Sequence, residues 1–249
     1  MTRRKILITG ASSGLGAGMA REFARRGRDL ALCARRLPNL EQLRDELRAA
    51  HPEITVAVRA LDVDDHAAVP KVFGELRDEL GGLDRVIVNA GIGKGALIGT
   101  GRADANLATA TTNFVSALAQ AEAAMSLFRA ADSGHLVLIS SMSAVRGLPG
   151  KKAAYSASKA GLSALGEGLA IELRHSPIKV TTVQPGFIAT DMSSNAGDAK
   201  LVAPLDKGVA SMVAAIEREA VRACVPEWPW RVLDFVLPRL PRGIVAKLG

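Results

Sequence analysis

Cysteine and histidine are both scarce in this sequence of 249 residues. The two cysteines, Cys33 and Cys224, lie in apolar runs and provide no disulfide framework, so we interpret them as core thiols in a reducing compartment. The four histidines are scattered without ligand spacing, which argues against a metal site. No apolar run approaches the roughly 18 residues of a membrane span, and Ile6–Ile8 is too short for a signal peptide. These absences predict a cytoplasmic protein with no bound metal.

Aromatic residues make up only 4% of the chain, although its formal net charge is +7. A basic surface can attract nucleic acid, anionic lipid or phosphorylated ligands. Single strands of nucleic acid are usually bound on aromatic stacking platforms, and here the arginines are spread along the chain. We therefore expect no nucleic acid partner, because a small anionic cofactor accounts for some of the basic residues more directly.

Short apolar runs alternate with longer amphipathic segments along most of the chain. The runs predicted as strands are Lys5–Thr9, Asp29–Ala34, Ile54–Ala60, Arg85–Val88, His135–Ile139, Ile178–Gln184 and Arg222–Val225. The segments predicted as helices are Leu15–Arg26, Leu40–Ala50, Asp65–Leu80, Ala103–Ala131, Tyr155–His175 and Asp206–Arg218. This alternation indicates an α/β fold, a doubly wound Rossmann-type parallel sheet of about seven strands with helices on both faces. Since no linker or repeat divides the chain, we predict one domain over residues 1–249, with 226–249 as a basic amphipathic C-terminal extension.

A glycine-rich turn connects the first predicted strand to the first predicted helix. Glycines at this point permit a tight turn and let backbone N–H groups approach a pyrophosphate at the helix N-terminus. The glycine spacing differs from the common G-x-G-x-x-G fingerprint, but the first strand-to-helix turn is where doubly wound folds bind dinucleotides. The predicted cofactor-binding residues of this turn are Gly10, Ser12, Ser13, Gly14, Leu15 and Gly16.

The end of the second strand indicates which dinucleotide is bound. Proteins that bind NAD usually carry an acidic residue here, which holds the ribose 2′-hydroxyl. This chain has Ala34 followed by Arg35 and Arg36. Because guanidinium groups grip a phosphate that a carboxylate would repel, we predict NADP(H), with Arg35 as the main contact and Arg36 in support. The alternative is that both arginines are merely solvated.

Tyr155 is the only tyrosine, and Lys159 follows it by four positions in a segment typical of a helix. Residues four apart share one helix face, and a nearby cation favours the phenolate form of a tyrosine. The pair could therefore donate and accept a proton near neutral pH, as general acid–base catalysis requires. Alone, such a pair would more often be a surface tyrosine beside a solvated lysine.

Several further motifs stand in a fixed order around this pair. They are Asn89-Ala90-Gly91, Asp62-Val63 after the third strand, Asn113 in the long helix, Ser140-Ser141, and Pro185-Gly186-Phe187-Ile188-Ala189-Thr190. With the glycine-rich turn and Tyr155-Ser-Ala-Ser-Lys159, they make the chain resemble the short-chain dehydrogenase/reductase family from about Lys5 to Thr190. Each motif is weak alone, but the set in this order is highly specific.

The resemblance implies a role for each matched residue. Tyr155 would exchange a proton with the oxygen of a carbonyl or secondary alcohol, and Ser141 would hydrogen-bond that oxygen. Lys159 would hold the nicotinamide ribose and lower the pKa of Tyr155, and Asn113 would hold a water that links Lys159 to solvent. The predicted contacts to the rest of the cofactor are Asp62 and Val63 near the adenine, Asn89, Ala90 and Gly91, and Pro185, Gly186, Ile188 and Thr190 near the nicotinamide.

One departure from the family concerns the serine. Many members place it thirteen residues before the tyrosine, where this chain has Met142. Ser141 is favoured as the second serine of the pair at the strand end, and Ser143 is the alternative. The resemblance also implies a homodimer or homotetramer.

Substrate contacts are expected from residues 93–101, 142–152 and 191–205, at the carboxyl ends of the strands. Met142, Leu148, Phe187 and Met192 in or beside these loops suggest an apolar carbonyl or alcohol substrate. Lys151 and Lys152 could meet an acidic substrate, although a solvated pair is favoured.

The C-terminal extension contains both tryptophans, Trp228 and Trp230, with interleaved basic residues. It could lie on a membrane surface, but we favour a role in covering the substrate pocket or a partner subunit. The alternative to an enzyme is a catalytically silent, NADP(H)-sensing binding protein on the same fold. Retention of Asn113, Tyr155 and Lys159 together argues against that alternative.

Overall fold

The computed structural model describes residues 3–190 and 202–246, so Met192 and most of the predicted loop 191–205 lie outside the described residues. Seven parallel strands form one sheet in the order β3-β2-β1-β4-β5-β6-β7. The strands are β1 Lys5–Thr9, β2 Asp29–Ala34, β3 Val56–Ala60, β4 Arg85–Val88, β5 Gly134–Ile139, β6 Ile178–Pro185 and β7 Arg222–Val225. The order reverses between β1 and β4, which is the switch point where ligands bind in doubly wound sheets. The predicted fold class is confirmed.

Helices cover both faces of the sheet. They are α1 Gly14–Arg25, α2 Leu37–Ala50, α3 Ala68–Leu80, α4 Ala103–Ala110, α5 Ser116–Ala130, α6 Ala153–Glu172, α7 Leu205–Glu217, α8 Glu227–Val236 and α9 Arg242–Val245. One apolar core lies beneath α1, α2 and α7, and a second lies beneath α3, α5 and α6. Strand residues alternate between the two cores: Ile6 and Ile8 face the first, and Leu7 faces the second. Burial on both faces explains the nearly continuous apolar strands.

The long helix predicted over Ala103–Ala131 is not regular. A π-helical turn, Thr111–Val115, separates α4 from α5. The carboxylate of Asp64 accepts hydrogen bonds from the hydroxyls of Thr112 (2.8 Å) and Ser116 (2.7 Å). Such turns often occur at functional sites, and this one carries Asn113.

A buried polar network lies at the amino ends of β4 and β5. The sequence motifs described above lie at the opposite edge of the sheet, at the carboxyl ends of the strands. The Arg85 guanidinium donates from Nε to His135 Nδ1 (2.8 Å) and from Nη1 to Glu217 (3.1 Å). Because an arginine can only donate, His135 Nδ1 is an acceptor and its Nε2–H donates to the Thr181 hydroxyl at 2.8 Å. Burial, helped by the charges of Arg85 and Arg3, holds the pKa of His135 well below its usual value of 6.5.

The C-terminal extension packs against two loops at the carboxyl edge of the sheet. Trp230 is 5% exposed, and a Cβ added to Gly186 would lie 2.0 Å from its indole. On the other side, the Arg146 guanidinium donates to the carbonyls of Pro238 (2.8 Å) and Leu240 (3.3 Å). The extension therefore bridges the loop after β5 and the turn after β6.

Within residues 3–190 and 202–246, none of the helices combines the length and the hydropathy that crossing a bilayer needs.

Candidate active site

The glycine-rich turn is a close-packed cradle between β1 and α1. Gly10 has a φ of +66°, and a Cβ there would lie 2.9 Å from Ala90 Cα. A Cβ at Gly16 would lie 2.4 Å from the carbonyl oxygen of Gly10. Side chains at these positions would fill the space that backbone N–H groups need to reach a phosphate. The cradle and the start of α1 at Gly14 fit a pyrophosphate.

Thr9 and Asn89 hold this turn against the end of β4. Asn89 Nδ2 donates to the Thr9 carbonyl (2.9 Å), and the Thr9 hydroxyl accepts from the backbone N–H groups of Asn89 (3.0 Å) and Ala90 (3.1 Å). Sequence reasoning assigned Asn89 and Ala90 to the cofactor but missed Thr9. Its position as the last residue of β1, immediately before Gly10, is the signal that could have identified it.

The two arginines after β2 occupy different positions. Arg36 donates from Nη2 to the hydroxyls of Ser12 (3.0 Å) and Ser13 (2.7 Å), so its guanidinium lies on the glycine-rich turn. Arg35 is exposed and makes no hydrogen bond or ion pair with a residue in the described ranges. The structure thus brings Arg36, rather than Arg35, together with the phosphate cradle.

Asp62 and Val63 form the turn after β3. The Asp62 side chain is exposed and accepts a weak hydrogen bond from the Asp64 backbone N–H at 3.2 Å, while Val63 is buried. Neither residue contributes to the cradle itself. Asp64, which sequence reasoning did not assign, is the member of this turn that reaches across to the π-helical turn.

Tyr155 lies in the first turn of α6, where its phenol interacts with the side chain of Ser141. Partial burial raises the pKa of the phenol, and the interaction with Ser141 opposes that rise. Loss of solvent dominates the pKa of Tyr155 in the protein alone, so the lowering of that pKa by Lys159 stays a prediction for the cofactor-bound protein. The Ser141 oxygen also accepts from the Ser143 backbone N–H at 3.0 Å. The contact with Tyr155 supports Ser141 over Ser143.

Lys159 is nearly buried, at 5% exposed, one helical turn after Tyr155. Its Nζ donates to the carbonyl of Ile139 at 2.8 Å. Burial lowers the pKa of this ammonium from 10.5 to about 8. The lysine therefore remains charged at neutral pH at a considerable desolvation cost.

Asn113 is fully buried in the π-helical turn. Its Oδ1 accepts from the Ile92 backbone N–H (2.8 Å) and its Nδ2 donates to the Ile92 carbonyl (2.9 Å), so it holds the segment after β4. A Cβ at Gly91 would lie 3.0 Å from Asn113 Oδ1 and 3.5 Å from Lys159 Nζ. Gly91, Asn113 and Lys159 therefore meet at one point.

The segment after β6 returns toward the glycine-rich turn. Pro185 ends the strand, Gly186 lies under Trp230, and Ile188 packs on Gly208 of α7. Thr190 reaches Gly14, since a Cβ at Gly14 would lie 3.8 Å from its Cγ2. Phe187 contacts Trp230 edge to face, with ring centroids 5.5 Å apart.

In the described ranges, no group of three or more His, Cys, Asp or Glu residues is arranged to hold a metal ion.

Comparison with known proteins agrees with this arrangement. The sequence profile of the short chain dehydrogenases matches residues 4–201. The chain belongs to this family. It is also 57% identical to an uncharacterized oxidoreductase of Mycobacterium tuberculosis over 246 residues, with 97% of each chain covered. An uncharacterized oxidoreductase of Myxococcus xanthus is 41% identical over 199 residues, covering 78% of this chain and 76% of that protein.

Solved structures with the same fold include two reductases. The NADPH-dependent 3-quinuclidinone reductase of Rhodotorula rubra superposes with a TM-score of 0.80 at 26% identity and 90% coverage of each chain. The 3-oxoacyl-[acyl-carrier protein] reductase of Brucella melitensis, in complex with NAD, gives 0.79 at 27% identity, covering 90% of this chain and 95% of that one. Family membership and these neighbours identify the chain as an oxidoreductase that uses a nicotinamide cofactor. The two neighbours differ in cofactor, so the choice of dinucleotide must be argued from this chain's own residues.

Proposed function

We propose that this protein is an NADP(H)-dependent oxidoreductase that interconverts a carbonyl compound and a secondary alcohol. The observation that carries the proposal is the placement of the Tyr155 phenol beside the Ser141 side chain, one helical turn from the buried ammonium of Lys159. Two hydroxyls side by side can hold one substrate oxygen between them. A charged amine nearby stabilises the anion that forms when the phenol gives up its proton.

The residues around the cradle favour a cofactor with a 2′-phosphate. Ala34 stands where NAD-binding relatives would carry an acidic residue, and Arg36 lies against Ser12 and Ser13. A guanidinium already held beside the phosphate turn can bind a further phosphate bidentately. Arg35 is exposed next to it and adds a second positive charge. Arg36 is thus the main candidate contact, and Arg35 supports it.

Each catalytic residue then has a definite task. The bound nicotinamide supplies or accepts the hydride. Ser141 fixes the substrate oxygen, and Tyr155 donates its proton to that oxygen during reduction or removes it during oxidation. Lys159 orients the ribose and offsets the negative charge on Tyr155 after proton transfer. Asn113 holds the Ile92 backbone, which keeps the segment after β4 at a fixed distance from Lys159.

The decisive experiment compares Tyr155→Phe with the parent protein on reactive ketones of steroid, acyl and sugar type. We expect the variant to bind NADPH normally, measured by nucleotide fluorescence, and to lose at least about a hundredfold in kcat, as loss of a general acid does. Turnover by the variant at the parental rate would refute the proposal. NADPH binding without turnover of any carbonyl by the parent would instead support the silent sensor.

Cofactor choice is tested separately with Arg35→Ala and Arg36→Ala. We expect the parent to prefer NADPH to NADH in kcat/KM, and Arg36→Ala to reduce that preference more than Arg35→Ala does. The NADH parameters serve as the control, since neither arginine should contact a cofactor without the 2′-phosphate. Equal kcat/KM values for the two cofactors in the parent would contradict the assignment.

A further inference from the structure

A concave surface next to the candidate active site lies between two of the loops that are expected to contact the substrate. It is a hollow of about 290 Å³ between the loop after β4 and the turn that precedes α6. Its lining includes Lys94, Arg102 and Lys151 together with the apolar Leu97 and Ala105, and it contains no acidic residue. A hollow lined by charges of one sign concentrates ions of the other sign.

The two walls of the hollow are held at a fixed spacing. A Cβ at Gly95 would lie 2.1 Å from the carbonyl oxygen of Lys151, so only glycine permits this close approach. On the other side, the Ala96 backbone N–H donates to Asn106 Oδ1 at 2.9 Å, which ties the loop to α4. The backbones that carry Lys94 and Lys151 are therefore packed together.

Both walls lead directly into the catalytic segments. Lys151, four residues before Tyr155, belongs to the 3₁₀ turn Gly150–Lys152, which continues directly into α6. The other wall begins just after Gly91, the residue that meets Asn113 and Lys159. A molecule with its carbonyl at Tyr155 could extend its remaining atoms toward this hollow.

The cations of the hollow are not all neutralised. Arg102 pairs with Asp104 at 3.1 Å. Lys94 and Lys151 make no hydrogen bond or ion pair with any residue in the described parts of the chain. Both side chains are exposed on the hollow, so an anion bound there would meet two ammonium groups that have no other partner in the described residues.

We propose that this hollow binds an anionic group of the substrate, so that the substrate is a carbonyl compound carrying a carboxylate or phosphate. The inference rests on the proposed oxidoreductase function and adds a substrate class to it. Leu97 and Ala105 contact the apolar part of such a molecule, and Lys94 and Lys151 bind its charged end.

The test compares aldehydes that differ in charge, at saturating NADPH. The pairs are 4-oxobutanoate with butanal, and glyceraldehyde 3-phosphate with glyceraldehyde, which separate a carboxylate from a phosphate. An exposed ion pair contributes up to about fivefold, so Lys94→Ala/Lys151→Ala should lose roughly tenfold in kcat/KM for the charged member of the preferred pair. The neutral member should change by less than about twofold, and added salt should reduce the charged preference only in the parent.

The matched control is Lys71→Ala/Lys179→Ala, which removes the same charge from exposed lysines elsewhere. Titration calorimetry of succinate and inorganic phosphate into the NADPH-loaded proteins supplies a measurement independent of turnover. Weaker anion binding in the hollow variant than in the control supports the proposal. Equal losses for charged and neutral aldehydes, or equal anion binding in the two variants, overturns it while leaving the oxidoreductase function intact. Failure of the parent to reduce any aldehyde would count against the function instead.

Discussion

Replacement of Lys159 by methionine should abolish turnover and yet stabilise the fold. Burial lowers the pKa of Lys159 from 10.5 to about 8, so the native protein holds this proton less tightly than the unfolded chain does. Each pKa unit corresponds to about 1.4 kcal/mol, and the shift therefore costs roughly 3 kcal/mol of stability at pH 7. Loss of the hydrogen bond to the Ile139 carbonyl offsets roughly 1.5–3 kcal/mol of this gain. We expect Lys159→Met to raise the free energy of unfolding by about 1 kcal/mol.

The pH dependence identifies the cause. Between about pH 8 and 10.5 the unfolded chain binds more protons at Lys159 than the native protein does, so the parent gains stability as the pH rises. The methionine variant lacks this contribution. In urea unfolding, the variant should therefore have the larger free energy of unfolding at about pH 7 and the smaller one at about pH 10. The other titrating groups are the same in both proteins, so their contributions cancel when the two free energies of unfolding are subtracted at each pH.

A matched variant separates charge from packing. Lys159→Arg keeps a charge that cannot be neutralised in this pH range, so it should be less stable than the parent at both pH values. The reasoning is refuted if Lys159→Met is less stable than the parent at pH 7, or if the gap between them does not change with pH. Either result would mean that the buried ammonium is stabilised by interactions that compensate its loss of water.

Three further predictions concern the fold and the rate. Trp230→Ala should cost about 3–5 kcal/mol in urea unfolding and lower kcat/KM for bulky ketones, whereas Trp228→Ala, which removes a side chain that is 77% exposed, should change neither. His135→Gln should reduce the loss of stability on acidification: because the pKa of His135 is depressed, the unfolded chain of the parent binds the proton first and the free energy of unfolding falls as the pH drops below about 6.5, with His175→Gln as the control. The parent's kcat/KM should fall above about pH 8, where Lys159 loses its charge, and a profile flat to pH 10 would contradict this role.

The strands could be predicted almost to the residue, because each is a short apolar run buried on both faces of the sheet. The start of β3 is one exception: Ile54 is buried but precedes the hydrogen-bonded ladder, which begins at Val56. Similarly, α2 begins at Leu37 rather than Leu40, because Pro38 suits the first turn of a helix. These differences arise from pairing and capping, which depend on neighbouring segments rather than on the local pattern.

The chemistry of the site was less accessible from the sequence. A spacing of four places Tyr155 and Lys159 on one helix face, but it does not reveal how much water each retains. The structure shows that burial raises the pKa of Tyr155 and lowers that of Lys159, so desolvation opposes the charged form of both groups. The side chain that opposes the rise in the pKa of Tyr155 is Ser141, which follows β5 and is not part of α6. Similarly, two adjacent arginines look equivalent in sequence, although only Arg36 contacts the phosphate turn.

The π-helical turn is the clearest case of a functional feature set by tertiary contacts. The residues Thr111–Val115 carry no signal that distinguishes them from an ordinary helix, so the sequence predicts one regular helix through them. At this turn Thr112 and Ser116 both donate to one carboxylate, that of Asp64 on the turn after β3. These two bonds lie on either side of Asn113, whose amide in turn fixes Ile92 and the backbone beside Lys159. The turn after β3, the central helix and Lys159 are thus linked through Asp64 and Asn113, although Asp64 lies outside every motif of the sequence.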